Sequence, residues 1–248
     1  MADGKPMTFI AHLNELRTRI IVSVIAILVA TLAAFFAADT ILNVLLLPSG
    51  GLHLRAFRLV AGFMIKFKVA FYAGIIISMP VWAYEIISFV GPGLKPSEKS
   101  LLIPLLVASV VLFAAGTGFG YYLLSDMIRV FIKMFPPRIE YLPSAQDYLS
   151  FTIFFLLSCG LAFQLPCALL ALVGLRLLSS SLLRKQRRIA YFILFVFAEI
   201  ITPVSDPIVA PLIVMLPLVV LYELTIVLSR RIEGKRVIPG GEPAGNPA

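Results

Sequence analysis

Charged residues, histidine and cysteine are all scarce in this chain. Only 14% of its 248 residues are charged, and it has two histidines, two cysteines and one tryptophan. Soluble domains are about 25% charged and about 45–50% apolar. This chain is 60% hydrophobic, with a mean hydropathy of +1.00. The composition therefore excludes an ordinary soluble domain and predicts a membrane protein.

The few cysteines and histidines also exclude several kinds of site. Cys159 and Cys167 share one apolar run, where eight residues of helix separate them by about 12 Å, too far for a disulfide. His12 and His53 are predicted to lie on opposite sides of the membrane. No metal-ligand cluster, nucleophile with a neighbouring base, or phosphate-binding loop stands out in the sequence. We therefore expect no metal, no other cofactor and no enzymatic activity.

The sequence has long apolar runs instead. A membrane-spanning helix needs about 20 apolar residues. Six such runs, joined by short loops, account for the length of the chain. The predicted spans are Ile20–Val44, Phe67–Val90, Leu101–Leu124, Leu149–Leu175, Ile189–Thr202 and Ile208–Leu228. Several contain prolines, and such kinks are tolerated where neighbouring helices satisfy the freed backbone groups, so we expect a packed bundle. The last two runs are short, which favours either snorkelling ends or local bilayer thinning.

The predicted fold is therefore an all-α membrane protein with one polytopic domain over residues 7–232 and its six spans within 20–228. Met7–Arg19 has apolar residues at helical spacing and is predicted to be an amphipathic helix on the membrane surface. Residues 1–6 are expected to be flexible. Residues 233–248 are rich in glycine and proline and are expected to form a disordered tail.

The basic residues predict the orientation of the chain. Fourteen of the 21 lysines and arginines fall on the side that holds both chain ends, and that side is predicted to be cytoplasmic. Because both ends lie there, the number of crossings must be even. The net charge of +8 is spread between the apolar runs rather than gathered in one patch. This favours contact with membrane lipid over binding of nucleic acid.

Two carboxylates are predicted at the cytoplasmic interface, on a face dominated by basic residues. Taken alone, Glu15 is expected to pair with Arg19 one helical turn further on, and Glu98 to complement the helix dipole at the start of the third span. Taken together, two carboxylates at one interface suit a cationic ligand. Arginine suits them best, because its planar fork binds a carboxylate through two hydrogen bonds.

Four further polar side chains fall inside the apolar runs, namely Glu85, Gln164, Glu199 and Glu223. Such residues are candidates for function, because burial without a partner costs several kcal/mol. Glu85 and Glu223 are expected near the cytoplasmic ends of their helices, which favours a structural role. Gln164 directly precedes the kink expected at Pro166 and is either an interhelical contact or a contact for a partner helix.

Four segments of the sequence carry a pattern shared with a known family. They are HLNELRTR (His12–Arg19), FVGPGLKPSEKS (Phe89–Ser100), AFQLP around Gln164, and ITPVSDP (Ile201–Pro207). These segments strongly resemble TatC, the receptor subunit of the twin-arginine protein translocase, and the match runs in order from about Phe9 to Arg231. The resemblance implies a concave six-helix bundle in the bacterial inner membrane, with both termini in the cytoplasm and two short final helices.

The resemblance also implies a function. TatC-like proteins bind the twin-arginine signal peptides of folded cargo, recruit single-helix TatA and TatB subunits into a hetero-oligomer, and use the proton-motive force without hydrolysing a nucleotide. Glu15 and Glu98 match the arginine-recognition carboxylates of the family, with the positions of Arg17 and Leu94 beside them. Pro48 and Asp206 match outer-loop positions that matter for function; from the residues alone, Asp206 forms a turn before a proline.

One position departs from the family pattern, and two other functions remain open. Gln164 stands where relatives often carry Glu. Because Gln cannot titrate, the residue speaks against a mechanism that needs protonation at this position, while a hydrogen-bonding role is retained. A small ion-coupled transporter or proton channel would use Glu85, Glu199 and Glu223 as a relay, but it predicts an internal repeat that is not visible. A structural scaffold without a ligand predicts that Glu15 and Glu98 are freely replaceable.

Overall fold

The structure is a computed structural model that describes residues 9–57, 59–91, 100, 102–133, 143–202 and 209–234. Ten α-helices occur in these ranges: α1 (Phe9–Phe36), α2 (Ala38–Leu46), α3 (Ala61–Ile77), α4 (Met79–Val90), α5 (Leu102–Lys133), α6 (Ala145–Ala162), α7 (Leu165–Gly174), α8 (Ser180–Lys185), α9 (Arg187–Ile201) and α10 (Val209–Gly234). A short 3-10 helix, Leu47–Ser49, follows α2.

The helices account for the six predicted spans. Four stretches are long and apolar enough to cross a membrane: α1, α5, α6 with α7, and α10. The pair α3 and α4, bent by 48°, gives a fifth. The sixth is α9, whose 15 residues extend roughly 22 Å along the axis, less than the ~30 Å of a hydrocarbon core.

Helix α1 combines the predicted surface helix and the start of the first predicted span, which the sequence pattern predicts as two separate segments. It runs from Phe9 to Phe36 without a break at Ile20, where the surface helix was expected to end and the first span to begin. Its 28 residues contain neither glycine nor proline, so nothing local interrupts the helix. The break falls instead at Ala37, and α2 then continues to Leu46.

Prolines mark the two bends inside the other spans. Helix α3 ends at Ile77 and α4 has Pro80 in its first turn, while α6 ends at Ala162 and α7 has Pro166 in its first turn. At the first bend the indole N–H of Trp82 donates to the carbonyl of Ile75 at 3.1 Å. A backbone carbonyl at the bend is therefore bonded inside the bundle, which suits a membrane interior.

Helix α10 is longer than the pattern predicts. It continues past Leu228 through Arg230 and Arg231 to Gly234, so the first two residues of the expected tail are helical. The rest of that tail, from residue 235, lies outside the described residues, as do residues 1–6.

Glycines allow α5 and α6 to pack closely at the centre of the bundle. A Cβ atom on Gly116 would lie 2.6 Å from the carbonyl oxygen of Cys159, and one on Gly160 would lie 2.7 Å from Oγ1 of Thr117. Neither position tolerates a side chain unless the helices move apart. Around this contact lies the main core, with fully buried Phe155 and Leu124.

Candidate binding site at the α1–α4 end

The start of α1 meets the end of α4, and five side chains form a contact that we call the Arg19 cluster: His12, Glu15, Arg19, Glu85 and Phe89. The imidazole of His12 stacks on the ring of Phe89 with 4.3 Å between the ring centres and 12° between the planes. This stacking ties the first turns of α1 to the last turn of α4. It places the three charged side chains of the cluster in one layer at this end of the bundle.

Arg19 bridges two carboxylates in this cluster. Its Nη1 donates to Oε2 of Glu85 at 2.8 Å, and its Nη2 donates to Oε1 of Glu15 at 3.3 Å. The Glu15–Arg19 pair expected from the helical spacing is therefore present. The contact with Glu85 joins residues 66 positions apart in the chain, and helical spacing does not predict it.

Glu15 has one oxygen left over. Its Oε2 is buried, lies 3.8 Å from Nδ1 of His12, and has no hydrogen-bond partner among the described residues. A buried carboxylate oxygen without a donor costs free energy, because it has lost its water without replacing it. An incoming cation that donates to this oxygen would remove that cost.

Two other predicted members of the site lie outside the described residues. Leu94 and Glu98 belong to residues 92–99, which follow α4 directly. The chain leaves the cluster at Gly91 and resumes in α5 at the same end, since a Cβ on Gly91 would lie 3.4 Å from Cδ1 of Leu102. Arg17 is described and is exposed on α1, two residues after Glu15.

Gln164 lies at the break between α6 and α7 and is bonded to α5. Its Oε1 accepts from the hydroxyl of Ser109 at 2.5 Å, and its Nε2 donates to the Ser109 carbonyl at 2.9 Å. Of the two roles predicted for Gln164, the interhelical contact is thus present, and the contact with a partner helix stays a prediction. The amide still has one N–H and one lone pair to offer. It lines an apolar cavity of about 220 Å³ between α4, α5, α6 and α7, together with Trp82 and Leu161.

The remaining intramembrane acids have different surroundings. Glu223 on α10 accepts from Arg187 and from the hydroxyl of Tyr191, both on α9 and both at 2.5 Å. Glu85 and Glu223 therefore each bind an arginine, rather than one another. Glu199 on α9 has a buried Oε2 without a hydrogen-bond partner among the described residues.

The opposite end of the bundle holds Pro48, one of the two predicted outer-loop residues. Pro48 is buried in the 3-10 helix after α2. Hydroxyls from two other helices hold this segment, since Tyr148 donates to the Leu45 carbonyl and Tyr121 to the Val44 carbonyl, each at 2.9 Å. Asp206 lies outside the described residues.

Comparison with known proteins identifies relatives over nearly the whole chain. Residues 11–217 match the family model described as Sec-independent protein translocase protein (TatC). The TatC protein of Carboxydothermus hydrogenoformans is 34% identical over 236 residues, covering 94% of this chain and 97% of that protein. The TatC protein of Synechocystis is 36% identical over 206 residues, covering 83% and 81% of the two chains.

A solved structure shares the fold. The crystal structure of the twin-arginine translocase receptor TatC in DDM matches with a TM-score of 0.77 and 30% identity, covering 88% of this chain and 99% of that one. This similarity confirms the predicted all-α membrane fold with six spans.

Proposed function

Because this chain belongs to the TatC family of Sec-independent protein translocase proteins, we propose that it binds twin-arginine signal peptides of folded cargo at the α1–α4 end. The observation that carries the proposal is the buried Oε2 of Glu15, which has no hydrogen-bond partner in the part of the chain that the structure describes. A guanidinium supplies the donor that this oxygen lacks, and its planar fork fits a carboxylate better than a lysine ammonium does. Glu98 is the proposed second carboxylate, with Arg17 and Leu94 beside the peptide.

The proposal extends to the partners and the energy source. TatA- and TatB-like single-helix subunits are the proposed partners, with Gln164 and Glu199 as the polar side chains that face them within the membrane. Two observations support this assignment: Gln164 has spare hydrogen-bonding capacity beside an apolar cavity, and Oε2 of Glu199 has no hydrogen-bond partner among the residues that the structure describes. Pro48 and Asp206 are the proposed functional positions of the outer loops. The subunit works without catalysis, and the proton-motive force drives export.

The proposed location is the cytoplasmic membrane of a bacterium, with both termini in the cytoplasm. The protein is a multi-pass membrane protein of the TatC family. The excess of lysine and arginine on the side of the chain ends supports the orientation. The α1–α4 end then faces the compartment in which folded cargo is made.

Peptide binding to the purified protein tests the function. A labelled twin-arginine signal peptide should bind the wild-type protein more tightly than the same peptide with two lysines. Glu15→Gln should weaken binding of the twin-arginine peptide about tenfold or more, because a charge-assisted hydrogen bond contributes about 1.5–3 kcal/mol. Unchanged affinity in a Glu15→Ala, Glu98→Ala double variant would contradict the site.

A further inference from the structure

The Arg19 cluster contains two carboxylates and only one arginine. This excess suggests that the two carboxylates have different roles. We propose that Glu85 is a positioning residue for the signal-peptide site: it binds Arg19 more closely than Glu15 does, so that Arg19 engages only one oxygen of Glu15 and the other is kept for the guanidinium of the ligand. The inference rests on the function proposed above. It adds a residue on α4 that lies outside the four segments carrying the family pattern.

The two contacts of Arg19 are unequal. The Nη1–Glu85 distance of 2.8 Å lies within the range of charge-assisted hydrogen bonds, about 2.7–2.9 Å. The Nη2–Glu15 distance of 3.3 Å lies beyond the usual range for N–H···O bonds, about 2.7–3.2 Å. Glu85 is therefore the principal partner of Arg19, and Glu15 is a secondary one.

Burial strengthens this preference. The Glu85 side chain is 11% exposed, that of Glu15 is 17% exposed and that of Arg19 is 30% exposed. Charges removed from water interact more strongly and are less screened by salt, so Arg19 is held most firmly by the more buried carboxylate. Two carboxylates and one guanidinium leave one negative charge in excess, and Glu15 is the carboxylate of the cluster with a buried oxygen that has no hydrogen-bond partner among the described residues.

Without the carboxylate of Glu85, Arg19 would occupy the site on Glu15 that is proposed for the signal-peptide arginine. Arg19 lies one helical turn from Glu15 and would be free to turn both ends of its fork toward that carboxylate, which is the preferred bidentate geometry. The pair would then be neutral and both oxygens of Glu15 would be taken. A signal-peptide arginine would have to displace Arg19 before it could bind.

A double-substitution cycle separates this role from a purely structural one. The full-length protein in lipid nanodiscs would be titrated with the labelled twin-arginine peptide as wild type, Glu85→Gln, Arg19→Gln, and both substitutions together. Glu85→Gln should weaken binding about tenfold, since the ligand then competes with an internal guanidinium. Arg19→Gln should bind at least as tightly as wild type, because the competitor is gone. The double variant should recover to within about threefold of wild type.

A melting curve for each variant and one matched control complete the experiment. Asp39→Asn removes the acid of the exposed Asp39–Lys66 pair (2.7 Å) in the first turn of α2, beyond the far end of α1, and should leave affinity unchanged. Wild-type affinity in Glu85→Gln, or a double variant as weak as Glu85→Gln, would overturn the inference. If Glu85→Gln does not fold, weaker binding by Arg19→Gln alone overturns it.

Failure of the underlying function is distinguishable. If the wild-type protein binds the twin-lysine peptide as tightly as the twin-arginine peptide, the signal-peptide assignment fails and the inference fails with it. If wild type discriminates between the two peptides while Glu85→Gln retains full affinity, only the role of Glu85 is overturned.

Discussion

Single side chains show how this protein keeps acids within an apolar bundle. Glu85 and Glu223 are each held by an arginine from a neighbouring helix, at 2.8 Å and 2.5 Å. Removing the acid of either pair takes from its arginine the carboxylate on the neighbouring helix, although Arg19 still has Glu15 beside it. The same arrangement argues against a proton relay through these residues, because each acid is tied to a fixed cation.

Gln164 provides a prediction at the residue scale, because its partner Ser109 allows its two roles to be separated. Gln164→Leu removes both hydrogen bonds to Ser109, whereas Ser109→Ala removes only the one that its hydroxyl donates. Interhelical hydrogen bonds in membranes contribute about 0.6 kcal/mol on average, so each variant should unfold only slightly more easily than wild type. We expect Gln164→Leu to impair assembly with the partner helices, and Ser109→Ala to assemble and transport normally.

Site-specific crosslinking from position 164, with transport assayed alongside, would measure this difference. Equal defects in the two variants would show that the amide acts only between helices. Gln164→Glu adds a further test, since an ionised carboxylate cannot donate to the Ser109 carbonyl as Nε2 now does at 2.9 Å. We expect this variant to transport with a small loss of stability.

At the scale of helices, the contact between α5 and α6 depends on the absence of side chains. Gly116→Ala should destabilise the protein by about 1–3 kcal/mol, the usual cost of overpacking, because the new methyl group meets the backbone of Cys159. Gly118→Ala is the matched control two residues away, where nothing lies within 4 Å of an added Cβ atom. That control should be neutral or slightly stabilising, since alanine favours the helix.

Reversible unfolding in detergent, or melting temperatures of the two variants, would test the packing. A Gly116→Ala protein as stable as Gly118→Ala would show that α5 and α6 are free to separate. The close approach would then have no energetic importance.

At the scale of the whole molecule, the bundle is uneven in thickness. Helix α5 has 32 residues, about 48 Å of helix, whereas α9 has 15 residues and about 22 Å. We expect lipid beside α9 to be thinner than lipid beside α5, because a short apolar helix draws the two interfaces together. Single cysteines placed along both helices in a Cys159→Ala, Cys167→Ala background would report water access. A protected segment on α9 as long as that on α5 would contradict thinning.

Much of this architecture follows from residue type and order alone. Apolar runs, the positions of Pro80 and Pro166 and the spread of basic residues predict helices, bends and orientation, because these properties depend on local chemistry and on the thickness of a bilayer. The glycine-free, proline-free stretch from Phe9 to Phe36 also carried a signal for one continuous helix. The amphipathic pattern before Ile20 instead predicts a separate surface helix, and the structure has no break at that point.

The pairing of polar side chains was decided only by the tertiary structure. A helical spacing predicts that Glu15 meets Arg19, but nothing local indicates that Glu85 shares Arg19, or that Gln164 meets Ser109 from 55 positions away. These contacts arise because packing of α1 on α4, and of α6 and α7 on α5, brings distant residues to one depth in the bundle. An acid in an apolar run needs a partner, because a charge buried without one costs free energy. The sequence shows this need, and the packing of the helices determines which residue meets it.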